Sequence, residues 1–502
     1  MNKRILSLIL AALMLSPAFL TGCSENSADS NETDASAPSA AEDAVQEEET
    51  ELTRANTPDD LPELNFDGET ATIAARTKSW FTGEMYVEEL NGETVNDAVF
   101  ERDLTVENRF NVTINYELLD DTQTPVNLNV TSGTDFYTLH VGSAVDTVQY
   151  GVQGNYYNLL GTYPEYLNLS QPWWSQYYTE QSRIKDVSFF ATGDLCFSLT
   201  KLAFVTFTNM QMVENLNIED PFELVRSGDW TFDKQMELAS SAYLDKNGDG
   251  IANDGDTFGM SLGGLIGLDL YWSAFDLSII ARDEENAPVA GFDVERMSSV
   301  IEKLNSFYKQ VDYVFCPAAY GTDSEQDDIA KMLSEDRMLF SPLRVMHTEQ
   351  IRDMESSYAL LPLPKWDTEQ EEYYTFVHDQ YSIVGIPLSV QNPAMASAVM
   401  EAMAAESYRF VTPAYYDIVL NGKYIRDPNS GEMLDIAMEG IKIDFGWIYT
   451  YSLSSIAQEM LRNILYNGKA ATVASSFRSR EKVTTKVLEK LVKNIDKISE
   501  DR

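Results

Sequence analysis

The feature that most restricts the fold is the order of apolar periodicities in residues 71–141. Residues 71–75 (ATIAA) form a short apolar run of the kind a buried strand requires. Residues 93–109 place apolar positions at helical spacing among mixed charges. Residues 112–118 alternate as a second strand does, and 136–141 lead a third strand into Gly142 and Ser143. Strand and helix in alternation predict an α/β sheet with crossover helices, whose ligands sit beyond the carboxyl ends of the strands. Further helices are expected at 234–243, 294–309, 325–334, 391–404 and 480–499, separated by Gly and Pro. No internal repeat of 20–50 residues is present.

A chain of 502 residues holds two to four domains at roughly 100 to 200 residues each. With 44% hydrophobic and 23% charged residues it can bury a large core. Its 80 acids against 36 bases give a net charge of -44, which repels phosphate backbones and anionic lipid surfaces over most of the molecule and excludes nucleic acid as a partner. Three His and three Cys, without close spacing, exclude a structural zinc site.

The first residues read as a secretory leader: Lys3 and Arg4, an apolar run over 5–20, then Leu20-Thr21-Gly22-Cys23. This end resembles the lipobox of bacterial lipoproteins. The resemblance implies a signal peptide over 1–23, a diacylated (palmitate-bearing) Cys23 as membrane anchor, and a place on the extracellular face of the cell membrane. Residues 24–60 carry twelve acids, one Arg and no aromatic residue, too little apolar surface to offset ordering entropy. They are expected to form a disordered acidic tether. No later apolar stretch approaches the roughly 18 residues of a membrane span. Cys196 and Cys316 are able to pair or to stay as thiols, and both alternatives are open.

Three motifs bear on chemistry. Asp245, Asn247, Asp249, Asn253 and Asp256 fall at positions 1, 3, 5, 9 and 12 of an EF-hand-like loop, with Gly250 at the sharp turn and the Ile251 carbonyl at position 7. Structural calcium is the expected cofactor; Asp256 stands where a bidentate Glu is usual, and the alternative is an Asx- and Gly-rich turn without metal. Gly259-Met260-Ser261-Leu262-Gly263 satisfies the G-x-S-x-G pattern of a nucleophile elbow, with His347 and His378 downstream. An elbow needs a strand directly before the Ser and a helix directly after it, and the calcium-like loop ends just ahead of Gly259, which argues against it. The aromatic groups Trp173-Trp174 with Tyr177-Tyr178, Tyr271-Trp272, and Trp447 with Tyr449 suit either sugar faces or core packing. Eighty acids supply no distinguishable glycosidase pair.

Several segments in one order resemble the family 1 extracellular solute-binding proteins of bacterial ABC importers, the lipid-anchored sugar-binding members above all. They are Tyr163-Pro164-Glu165-Tyr166-Leu167-Asn168-Leu169-Ser170-Gln171-Pro172-Trp173-Trp174, Phe190-Ala191-Thr192-Gly193-Asp194, and Gly228-Asp229-Trp230-Thr231-Phe232-Asp233. After them come Leu361-Pro362-Leu363-Pro364-Lys365-Trp366-Asp367 with Gln370, Tyr424-Ile425-Arg426-Asp427, and Asp444-Phe445-Gly446. The chain departs from the family at Phe136-Tyr137-Thr138-Leu139-His140, where relatives usually carry an Asp early in the strand.

The resemblance implies a two-lobed periplasmic-binding-protein fold of the second topological type, its α/β lobes joined by hinge crossovers with solute bound between them. The first lobe would take 61–198 plus 326–376, and the second 199–325 plus 377–502. Trp80, Ser143, Asp146, Tyr271, Trp272, Arg344 and Asp379 are the expected ligand contacts, by ring stacking or hydrogen bonds to hydroxyls. The expected function is a non-enzymatic receptor that hands a sugar or oligosaccharide to permease subunits. The rivals are a secreted hydrolase of glycans or esters and a surface adhesin.

Overall fold

A computed structural model describes residues 53–262, 264–308, 311–317, 323–417, 429–466 and 473–500. The leader, Cys23, Gly263 and the 424–427 segment lie outside the described residues.

Two mixed sheets organise the chain. The first runs β11-β3-β1-β2, with β1 (Thr70–Arg76), β2 (Thr113–Leu119) and β3 (Leu139–Ser143) parallel, and β11 (Ser382–Gly385) antiparallel to β3. The second runs β10-β4-β9-β5-β8, from β4 (Phe204–Asn209), β5 (Phe258–Ser261), β8 (Val314–Phe315), β9 (Met338–Arg344) and β10 (Tyr358–Leu361). A two-stranded ribbon, β6 (Ile280–Arg282) and β7 (Pro288–Ala290), completes the strands. Each sheet with its helices is one α/β lobe, in agreement with the expected fold class.

Central strands are buried throughout, as strands covered on both faces are. All six residues of β4 and all seven of β9 are buried, whereas edge strand β2 exposes Leu118. The helices fall where periodicity placed them, at Thr94–Phe110, Val294–Phe307, Asp323–Ser334, Pro393–Glu406 and Val473–Glu500.

Strand pairing corrects the expected division between lobes. β9 and β10 hydrogen-bond to β4 and β5, so 326–376 belongs with the second sheet, and β11 pairs with β3, so the chain from 382 through helix Pro393–Glu406 belongs with the first. Apolar runs locate strands, but nothing in such a run names its partner.

The first two crossovers run antiparallel side by side. Ala203 bridges Val377, the Phe204 amide donates to the Phe376 carbonyl (2.9 Å), and the His378 amide donates to the Leu202 carbonyl (3.1 Å). Buried Glu84 ties both to the first lobe, accepting from the Ser198 amide at 2.8 Å and the Ser382 hydroxyl at 2.7 Å.

The expected tether is shorter than 24–60, because residues 53–59 are docked. Arg54 pairs with Asp194 at 2.6 Å and covers the Tyr408 ring, while buried Asp59 is held by Arg109 and Arg409. The polar composition of this segment concealed the docking, since its partners are 50 to 354 residues away in sequence.

Candidate functional site

The carboxyl ends of β1, β3 and β9 converge on the second of these crossovers. Trp80 sits in the one-turn helix Ser79–Phe81 just after β1. The guanidinium carbon of Arg344, the last residue of β9, lies 4.7 Å from the Trp80 ring centroid, and His378 meets the same ring edge-on at 6.0 Å. Asp379 follows at once, its backbone carbonyl accepting from the Val145 amide of the first lobe at 3.1 Å and its side chain accepting from Gln458 of the second at 3.3 Å.

Beside it, Ser143 caps helix Ala144–Gly151 and its hydroxyl donates to Asp146 at 2.6 Å. Tyr451 reaches Asp146 from the other lobe at 3.5 Å. Val145, Ile266, His378, Asp379, Tyr451 and Arg462 line a cavity of about 250 Å³ between the lobes.

Burial dominates the electrostatics. It pushes the Asp379 carboxyl up to about 7, helped by the charges of Asp269 and Asp146 and opposed by Arg462. Burial drives His378 well below its ordinary value, with Arg344 and Arg462 adding to it, so the imidazole is neutral. Arg462 makes an ion pair with buried Asp269. The wall thus combines an aromatic face, neutral and charged donors and a carboxyl group, a set suited to hydroxyl-rich ligands.

Five of the seven expected contacts, Trp80, Ser143, Asp146, Arg344 and Asp379, gather at this crossover. Tyr271 and Trp272 do not. Both are fully buried in the second lobe's core, Tyr271 against Phe232 and Phe275 and Trp272 edge-on to Trp447. Their helix, Gly264–Ala274, is largely apolar apart from Asp269 and Ser273, and Tyr271 and Trp272 pack into the core instead of facing the cleft. Trp173 and Trp174 are likewise core residues, both donating indole N–H groups to Glu401 at 3.1 and 2.9 Å.

Sequence reasoning missed Tyr451, Gln458 and the Asp269–Arg462 pair, 193 residues apart. Amphipathic helix Ile456–Tyr466 was the one local signal, and it does not say which sheet the helix covers.

The surroundings of Ser261 correct one argument made above. β5 does run into Ser261 and a helix begins at Gly264, so the strand-to-helix context is present. The base is what fails. Among the described residues the buried Ser261 hydroxyl has no hydrogen-bond partner, while the His347 ring is engaged with the Arg344 carbonyl at 3.0 Å. Gly259 has a packing reason, since a Cβ there would lie 2.0 Å from the Ala239 carbonyl oxygen.

The calcium-like loop is held by its own hydrogen bonds. Asp245 accepts from the Gly248 and Gly250 amides at 2.6 and 2.8 Å, Asp249 from the Ile251 amide at 2.7 Å, and buried Asp256 from the Lys246 and Asn253 amides. Among the described residues no group of three or more His, Cys, Asp or Glu side chains is gathered as a metal site. The donor types Asp245, Asn247, Asp249, Asn253, Asp256 and the Ile251 carbonyl remain those calcium takes. Cys196 and Cys316 are not joined in a disulfide.

No protein-family model matches the chain, and no curated protein sequence does. Solved structures do match. An ABC substrate-binding protein from Listeria monocytogenes in complex with cycloalternan aligns with a TM-score of 0.50 at 11% identity over 86% of this chain and 100% of its own. An ABC transporter solute-binding protein from Thermotoga lettingae bound to alpha-D-tagatose aligns at 0.51 and 13%, covering 84% and 100%. A designed esterase aligns at 0.54 and 12%, covering 84% and 99%. At these identities the likeness is one of fold: the chain has the two-lobed architecture of the solute-binding proteins of ABC transporters.

Proposed function

We propose that the chain is a non-enzymatic receptor that binds a carbohydrate, of oligosaccharide size, between its lobes and presents it to the permease of an ABC importer. The observation that carries this reading is the interlobe cavity lined by Asp379, Gln380, Tyr451, Gln458 and Arg462, with Trp80, Asp146 and Arg344 gathered at the same crossover. Two neighbours of the same fold hold a sugar, cycloalternan in one and alpha-D-tagatose in the other. An aromatic face for sugar C–H groups beside carboxyl and guanidinium partners for hydroxyls is the chemistry such ligands need. Contacts to both lobes at once favour the closed arrangement, which is how ligand shifts a hinge. The absence of a hydrogen-bonded base at Ser261 supports binding over hydrolysis.

In this reading Cys23 carries the lipid anchor, residues after it tether the lobes to the outer membrane surface, and calcium stiffens the 245–256 loop. A thermal-shift screen of residues 53–502 against mono- and oligosaccharides tests the reading, since a ligand bound by the native state alone raises the melting temperature by mass action. A dose-dependent rise with intact sugar recovered supports it. No shift with any sugar refutes the carbohydrate assignment, and recovery of cleaved sugar refutes the non-enzymatic one.

A further inference from the structure

The C-terminal helix Val473–Glu500 has a charge pattern opposed to the rest of this acidic chain. It packs on the body through buried Phe477, Thr484, Leu488, Leu491 and Ile495. On the surface it exposes Arg478, Lys482, Lys486, Lys490, Lys493 and Lys497. At 100° per residue those six fall within an arc of about 120° centred opposite the buried face, and they extend along about 28 Å of helix. Of the other charges, Glu489 falls inside this arc and Glu481 beyond its edge, while Arg480 pairs with Glu459 and Asp496 pairs with Lys185.

None of the six stripe residues has an ion-pair partner among the described residues. Six cations against one glutamate along this face, on a chain of net charge -44, are not explained by helix stability, because like charges at i,i+4 repel. Long-range repulsion from the acidic body does not cancel them either, since at physiological salt fields decay over about 8 Å.

We propose that this stripe docks the protein on an anionic lipid surface, so that the helix lies along the bilayer to which the lipid anchor ties the chain. The membrane part rests on the lipoprotein reading of Cys23. Charge complementarity carries the choice of partner, and tethering adds to it. A lipid anchor at Cys23 would hold the chain at the bilayer and raise the effective concentration of the stripe there. Each basic residue near an anionic surface contributes about a fivefold factor in binding, so no single one is decisive and the row acts as a unit.

The test is co-sedimentation of the leaderless chain, kept unlipidated by Cys23→Ser, with vesicles of neutral phosphatidylcholine or of phosphatidylcholine containing phosphatidylglycerol. The expected result is binding to the anionic vesicles alone, weakened by salt, and reduced at least tenfold by Lys486→Glu, Lys490→Glu and Lys493→Glu together. The melting temperature should be unchanged, because all three side chains are exposed. The Gln triple variant should fall between. Equal binding to both vesicles, no binding to either, or no response to charge reversal overturns the proposal. Tighter binding to a soluble glycerol-phosphate polymer than to the vesicles also overturns it in favour of a polyanion. A sugar thermal shift on the same samples reports the receptor reading independently.

Discussion

Asp379 offers the sharpest check on the site, through its titration. Its carboxyl is pushed from an ordinary 3.8 up to about 7 by burial first and by Asp269 second. A raised acid titrates in the unfolded chain before the folded one. Below about pH 4 the group is neutral in both states and has no effect on stability. Between there and pH 7 the unfolded state ionises first, so native stability falls, and above pH 7 the penalty is constant. At 1.36 kcal/mol per unit the full penalty is on the order of 4 kcal/mol, shared with the carboxylates it is coupled to.

Asp379→Asn removes the ionisation while its side-chain oxygen still accepts from Gln458. Urea unfolding at pH 4, 5.5, 7 and 8 should therefore show the variant near parity at pH 4 and more stable than the native sequence at pH 8. The Asp444 and Glu401 carboxyls, raised by burial to about 6 and about 7, titrate in both proteins and cancel in the difference. A difference that stays flat from pH 4 to 8, or an Asn variant that is weaker at pH 8, refutes the account. A ligand hydroxyl donating to the ionised carboxyl should also make sugar affinity rise with pH toward 7.

Trp80→Ala should weaken sugar binding by about tenfold or more with a modest change in melting temperature, whereas Trp272→Ala should cost about 3 to 5 kcal/mol of stability as a core truncation, and titration calorimetry beside urea unfolding separates the two. Ser261→Ala should leave sugar affinity unchanged and abolish no turnover; loss of an esterase or glycosidase signal in the variant would reinstate the hydrolase. Calcium should raise the melting temperature of the native chain and not of Asp245→Asn/Asp249→Asn, as read by scanning calorimetry with and without chelator; identical scans would leave the loop as a hydrogen-bonded turn.

The sequence by itself determined the class of fold and the position of its parts. Apolar runs and periods of two and 3.6 along the chain marked β1, β2 and β3 and several of the helices, because burial on one face or both is written locally. It also placed Trp80, Ser143 and Asp146 at strand ends, where an α/β sheet presents its ligands. Tertiary structure alone decided which sheet each strand joined: β9 and β11 pair across the molecule, and no run of Val, Leu and Phe encodes its distant neighbour. It decided as well which aromatic residues are sealed in the core. Trp80 and Trp272 are the same residue type, but the first stands at the second crossover beside Arg344 and His378 and the second is fully buried in the second lobe. A side chain's exposure is set by everything that packs against it, and those partners are hundreds of residues away.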